Sequence, residues 1–382
     1  MVGSMAIESS VSAAAGRLLR CNPVLLMGSL SMGGSERQGY LLAKVLTGLG
    51  MKPGVVAWNS TNDDYYKDLI QSLGIPLVTV PSDCGRFGKV WWLRKVMRRV
   101  NPPILHSYAF FLNSVAAWTM RGTPGMALGS IRSTYEFEAG NGWLHYLMNR
   151  RWPEGVIVNS AAARNAAQAD RRGFRPRKIL FVPNGIDLSL YPHRALTEKT
   201  CPRIIGIGNL HPEKRWDCLI RAAGIICRVD SSADFEIVIV GKGTESERLA
   251  ALAGKEGIPD RVVLLGRRYD VPDLLREADI SVLVSDGEGT PNAVMESMAA
   301  GLPLVVTDVG DNGRLVEDGV HGFVVGRGDE RALAERILRL ITEFPLRRKM
   351  GENGRIKAFD EFGLEKLGEN TLSAYRELGW KG

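Results

Sequence analysis

Residues 285–307 read Ser-Asp-Gly-Glu-Gly-Thr-Pro-Asn-Ala-Val-Met-Glu-Ser-Met-Ala-Ala-Gly-Leu-Pro-Leu-Val-Val-Thr and predict a loop, a helix, a turn and a strand, in that order. The apolar run 279–285 before them reads as a buried strand. Thr290 is placed to cap the helix, Pro291 needs no amide partner at its first position, and Gly301 with Pro303 ends it. Glu288 then sits in the loop just outside a helix N-terminus and Glu296 about one and a half turns into the helix, so that both can face one crevice. A helix start after the carboxyl end of a strand offers free amides and the positive end of a dipole, which suits a phosphate group. Two carboxylates beside it suit sugar hydroxyls.

Glu288 and Glu296 with seven residues between them, Gly289, Thr290, Pro291 and Asn292 inside, and Ala-Ala-Gly-Leu-Pro at 299–303 form a string that resembles the signature of glycosyltransferase family 4. The resemblance implies a retaining, nucleotide-sugar-dependent enzyme of the GT-B fold: an α/β chain of two Rossmann-like domains with parallel sheets facing a central cleft. It also implies that Glu288 orients the donor sugar and Glu296 binds the ribose hydroxyls. The plainer reading is a Rossmann-type strand and helix with two solvated glutamates. A bare pair of acids would favour it; the full string reverses that preference.

A chain of 382 residues, 45% hydrophobic and 24% charged, has an ordinary soluble composition and length enough for two cores. The net charge of +7 attracts anionic partners: nucleotide phosphates, an anionic lipid surface or nucleic acid. The cations are scattered and no recognised motif interleaves them with stacking aromatics, so nucleic acid is not an expected partner. Five cysteines form no Cys-x-x-Cys or Cys/His cluster, which fits a reduced cytoplasmic setting with no structural metal and no cofactor. The most apolar candidate for a membrane span, 109–120, is broken by Asn113 and Ser114. Residues 1–20 lack the basic start and apolar core of a signal peptide and read as a loose tail.

Strand and helix patterns alternate through 21–192, which predicts a parallel sheet. The first strand, 23–28, leads into Gly33 and Gly34, where the backbone can approach a ligand closely. The string Gly-Gly-Ser-Glu-Arg at 33–37 resembles the first-loop motif of the same family, which faces the donor phosphates or the acceptor. Residues 89–100 form a basic amphipathic helix with Trp92, Val96 and Val100 in one stripe. That stripe either docks on the sheet or, as in relatives with lipid acceptors, attaches peripherally to an anionic membrane at its inner face. The strand 103–108 is expected to deliver His106 to the crevice. Family members carry a His-x-His pair here with one histidine beside the transferred sugar; this chain keeps His106 and has Tyr108 at the second position. Arg132, at the end of a strand over 129–134, and the aromatic segment 135–151 with His145 mark the expected acceptor region.

Residues 189–201 lack periodicity and read as the interdomain linker, followed by a second Rossmann-like domain over 200–358 and closing helices over 359–382 that cross back to the first domain. In the loop 209–216, Lys214 and Arg215 stand at a helix N-terminus, where cations are unfavourable unless an anion offsets them. The loop resembles the family's phosphate-binding segment, with Asn209 in place of its usual arginine. Residues 307–314 depart from the family pattern and receive no role. The resulting expectation is a metal-independent transferase that moves a hexose from a nucleotide sugar to a saccharide or lipid-linked acceptor in glycan biosynthesis. The alternatives are a nucleotide-sugar epimerase or hydrolase, and a catalytically weak sugar-nucleotide-binding subunit.

Overall fold

The computed structural model describes residues 2–61, 63–140, 143–149 and 153–382. They form two compact units, one of residues 1–185 with 364–382 and the other of residues 186–363.

Unit 1 runs α1 (Val2–Leu18), β1 (Val24–Met27), α2 (Gly34–Gly48), β2 (Gly54–Ala57), α3 (Tyr66–Ser72), β3 (Leu77–Thr79), α4 (Gly85–Val100), β4 (Ile104–Ser107), α5 (Phe110–Met120), β5 (Met126–Ile131), α6 (Tyr135–Gly140), α7 (Trp143–Asn149), β6 (Gly155–Val158), α8 (Ala161–Ala169) and β7 (Lys178–Phe181). The strands pair in parallel in the order β3-β2-β1-β4-β5-β6-β7. Alternation along β1 shows why both faces need helices: Val24 and Leu26 join the core that holds Trp92 and Val96, while Leu25 and Met27 join the opposite one.

Unit 2 repeats the scheme with β8 (Arg203–Ile207), α9 (Trp216–Val229), β9 (Glu236–Val240), α10 (Ser246–Lys255), β10 (Val262–Gly266), α11 (Val271–Glu277), β11 (Ile280–Leu283), α12 (Asn292–Ala299), β12 (Leu304–Thr307), α13 (Asn312–Leu315), β13 (Gly322–Val325), α14 (Glu330–Thr342) and α15 (Phe344–Glu361). Its parallel order is β10-β9-β8-β11-β12-β13. In each sheet the order reverses beside the first strand, between β1 and β4 and between β8 and β11. A doubly wound sheet receives its ligand beyond the strand ends at that switch point.

Three expectations change, and one pair of alternatives is decided. Residues 2–18 are a helix and not a loose tail: Val11, Ala14, Ala15 and Leu18 share one face and are buried in the core of α4, whose Trp92 indole donates to Ser10 Oγ at 3.1 Å. The α4 stripe Trp92, Val96 and Val100 is core, as sheet docking requires. Residues 189–201 belong to unit 2, because buried Asp279 holds Arg194 (3.5 Å) and Lys199 (2.8 Å) and so fastens the segment to β11. Of the closing helices, α15 stays with unit 2, and α16 (Leu364–Glu377) returns to unit 1, so the crossing falls at Gly363. Among the described residues no helix is long and apolar enough to cross a membrane.

Candidate active site

The loops after β8 and β11 flank the switch point of unit 2, and they carry most of the residues the sequence singles out. The carboxyl ends of β11 and β12 are tied by Thr307, whose Oγ1 accepts from the Ser285 amide and donates to the Ser285 carbonyl, both at 3.0 Å. From that anchor the Ser285 hydroxyl donates to Glu288 Oε1 at 2.6 Å, and the Lys214 ammonium meets the same oxygen at 2.5 Å. The Glu288 and Lys214 side chains are 10% and 22% exposed, so the pair is screened from bulk water yet open at one edge. Arg215 adopts the left-handed conformation (φ 50°, ψ 35°) and caps α9. Its guanidinium reaches Asp286 at 3.1 Å, Asp217 at 3.3 Å and Cys218 Sγ at 3.0 Å. The cost of two cations at a helix start is thus offset by the protein's own carboxylates.

Helix α12 begins at Asn292, with Pro291 in extended conformation ahead of it. Thr290 is not its cap. The Thr290 hydroxyl is used elsewhere, donating to buried Asp311 Oδ2 at 2.9 Å. Gly301, with φ +77°, ends the helix as expected. Glu296 is buried on α12 and accepts from the Tyr191 hydroxyl at 2.7 Å. The structure therefore brings Glu288, Lys214, Arg215 and Gly289–Asn292 onto one loop system, and ties Glu296 to Tyr191.

In unit 1, Gly33 is the extended residue before α2, and the Glu36 carboxylate lies over it between Ser29 Oγ (3.1 Å) and Ser35 Oγ (2.7 Å). His106 does not open onto a crevice. It is the third residue of β4, which is paired on both sides, and it is 1% exposed. Its Nδ1 lies 2.9 Å from the Tyr375 hydroxyl and its Nε2 3.1 Å from Ser130 Oγ. The side chains at 106 and 108 share a face of the strand, and their rings lie 4.7 Å apart. Arg132, one residue beyond β5, stacks its guanidinium 4.3 Å above the Tyr108 ring. Its Nε is buried and finds no hydrogen-bond acceptor. The expected acceptor segment 135–151 contains α6 and α7; residues 141, 142, 150 and 151 and the His145 side chain lie outside what is described.

Residues 32–190 match the family model for Glycosyltransferase Family 4, and residues 201–343 match the model for Glycosyl transferases group 1. This chain is a family 4, group 1 glycosyltransferase. The glycosyltransferase is 26% identical over 309 residues to N-acetyl-alpha-D-glucosaminyl L-malate synthase of Bacillus anthracis, covering 75% of this chain and 77% of that protein. It is 28% identical over 214 residues to a UDP-Gal:alpha-D-GlcNAc-diphosphoundecaprenol alpha-1,3-galactosyltransferase of Escherichia coli, covering 53% and 55%. Among solved structures, HepE of Anabaena in complex with UDP and glucose superposes with a TM-score of 0.78 at 22% identity, over 92% of this chain and 98% of that one, which establishes the shared fold.

Three features of the glycosyltransferase's site escape a reading of local sequence. Gly310 (φ +56°) lets the chain pass so close to the signature loop that an added Cβ would lie 2.1 Å from the Glu288 carbonyl oxygen. The next residue, Asp311, takes the Gly289 carbonyl through its amide at 3.0 Å. The segment 307–314, which the motif comparison leaves without a role, is the clamp on the Glu288 loop. Gly310→Ala is expected to displace that loop and to cut transfer by more than tenfold while costing about 1–3 kcal/mol of stability; initial rates together with urea unfolding check both. Tyr191, behind Glu296, and Tyr375, behind His106, are the other two.

Burial and then the Arg132 charge hold the His106 imidazole well below the usual histidine range, while burial raises the Glu138 carboxyl to about 7. The two act in opposite senses. Below about pH 6.5 the unfolded chain protonates His106 and the folded ring does not, so stability falls as pH falls. From about pH 7 down to about 4.3, folded Glu138 takes a proton the unfolded chain refuses, so stability rises. The two contributions oppose each other between these limits, and Glu138→Gln is expected to make stability fall more steeply as pH drops below 6.5. Urea unfolding across pH measures it; a flat profile in the variant contradicts the assignment.

Proposed function

We propose that this glycosyltransferase moves a hexose from a nucleotide sugar, with retention of configuration and without a metal ion, to a saccharide or lipid-linked acceptor in glycan biosynthesis. The observation that carries the reading is the Glu288 carboxylate held between Ser285 and Lys214 at the switch point of unit 2. As the anomeric carbon becomes cationic, the leaving diphosphate gathers negative charge, and a fixed cation beside it lowers the barrier. Lys214 and Arg215 supply that charge, and the amides at the start of α12 add to it. Glu288 orients the donor sugar, and Glu296, aimed by Tyr191, takes the ribose hydroxyls. The UDP complexes of HepE and the UDP-galactose named for the Escherichia coli relative favour a uridine diphosphate donor.

On unit 1, Gly33 and Gly34 approach phosphate or acceptor through the backbone, and the Arg132 guanidinium, stacked on Tyr108 at the end of β5, is the cation that meets the acceptor. His106, with both ring nitrogens engaged inside unit 1, positions Ser130 and Tyr375 and does not touch the sugar. Retention follows from attack on the face the phosphate leaves, the leaving oxygen taking the acceptor's proton. The setting is cytoplasmic, and with a lipid-linked acceptor the enzyme contacts an anionic membrane at its inner face.

The test is the anomeric configuration of the product by NMR, made with EDTA present. An α-linked product from an α-linked donor at an undiminished rate is expected. An inverted product, or a rate abolished by EDTA and restored by a divalent ion, would overturn retention or metal independence respectively.

A further inference from the structure

Arg132 is a cation that unit 1 leaves without a counter-charge. It follows the last residue of β5, at the carboxyl edge of the sheet and one strand from the switch point between β1 and β4, where a doubly wound sheet receives its ligand. Its guanidinium lies 4.3 Å above the Tyr108 ring, and among the described residues it has neither a carboxylate nor a carbonyl partner. Two acids at this edge are engaged elsewhere. Glu138 takes the backbone amide of Arg132 and not its side chain, and Glu36 is held by Ser29 and Ser35. The Arg132 charge faces instead the neutral pair of His106 and Tyr375, and after burial it is what keeps the His106 ring unprotonated.

Arg172 of the same unit makes the comparison. It lies 4.4 Å over the Tyr146 ring in the same way, yet Asp170 answers its charge at 2.9 Å, although the Arg172 side chain is 58% exposed and water would screen it unaided. Arg132 is half-buried, with its Nε enclosed, and has the ring alone. A charge drawn out of water with no partner is costly to keep. Stacking on an aromatic ring uses a face of the guanidinium and leaves its edge free. That edge forks onto the paired oxygens of a carboxylate or a phosphate. With Nε closed off, the two terminal amino groups are the end left for a ligand. We infer that the acceptor carries an oxyanion, a carboxylate or a phosphate, and that Arg132 binds it through those two groups. A neutral sugar hydroxyl would leave the charge unanswered, whereas an oxyanion answers it and accepts two N–H groups at once.

The inference names the acceptor class of the function proposed above and rests on that reading, but it can fail alone. The experiment is thermal unfolding of unit 1 in the full chain with three probes at matched ionic strength: glucose, glucose 6-phosphate and glucuronate. An anionic probe is expected to stabilise unit 1 at a concentration at which glucose does not, and which of the two acts tells phosphate from carboxylate. Arg132→Gln is expected to raise the concentration needed by roughly tenfold or more. Arg132→Lys, which keeps the charge and loses the fork, should raise it less, and Arg172→Gln should leave it unchanged. Anionic probes that act no better than glucose on the wild type overturn the inference, and so does an undiminished response in Arg132→Gln. The unit 1 transition without probe shows whether each variant is folded, and the wild-type comparison decides the matter even where a variant is not. Release of UDP from UDP-glucose, read with the same three probes as acceptors, keeps the two proposals apart. Transfer to glucose as fast as to either anion leaves the transferase standing and removes the oxyanion; anion binding at Arg132 with no turnover of any nucleotide sugar leaves the oxyanion site and removes the transferase.

Discussion

Glu288→Gln is expected to lower kcat/KM for transfer by about 10²- to 10³-fold, the range seen when one group aimed at developing charge is removed from an active site. Glutamine keeps the size of the side chain and can still accept from Ser285, so the loop stays in place. What disappears is the negative charge beside Lys214 and, in the proposed mechanism, one carboxylate oxygen for the donor sugar. Because the pair is partly open to solvent, the fold should lose no more than about 1 kcal/mol. Initial rates and thermal unfolding of the same preparations separate the two effects. A variant with full transfer activity would remove Glu288 from the mechanism, and one that has lost its fold would make the residue structural.

Trp216→Ala is expected to give the largest stability loss, about 3–5 kcal/mol. The indole is 2% exposed and packs against β8, where the glycines leave room for it: a Cβ on Gly206 would lie 2.5 Å from the ring. Its N–H donates to the Asn209 carbonyl at 3.1 Å and so holds the loop that carries Lys214. Truncation opens a cavity at the first turn of α9 and frees that loop together. The transition of unit 2 should fall by roughly 10 °C while that of unit 1 stays put, and transfer should drop with it. Calorimetry resolves the two transitions; equal shifts in both would mean that the units unfold as one.

The signature stretch showed its loop, helix, turn and strand because each break is local: Gly301 for the left-handed exit, a buried run on either side, polar residues between. Alternating strands and helices likewise made both parallel sheets legible. What stayed hidden depends on distance along the chain. Tyr191 lies 105 residues from Glu296, and Tyr375 lies 269 from His106, so no spacing rule links them. His106 illustrates a second limit. A shift of one or two residues at the end of a strand decides whether a side chain meets ligand or core, and β4 continues past it to Ser107. Helix α1 is masked in the sequence by its alanine and serine content, although Val11, Ala14, Ala15 and Leu18 have the spacing of a buried face.

The loops after β8 and β11 are proposed to receive a nucleotide sugar. Thermal shift and nucleoside diphosphate release across a panel of UDP-, GDP- and ADP-sugars, with EDTA present and with simple acceptors added or withheld, test it most directly. One nucleotide class, expected to be uridine, should stabilise the unit 2 transition and support acceptor-dependent release, and Lys214→Met should abolish that stabilisation. Stabilisation by no donor in the panel, or release that runs equally fast without acceptor, would contradict it.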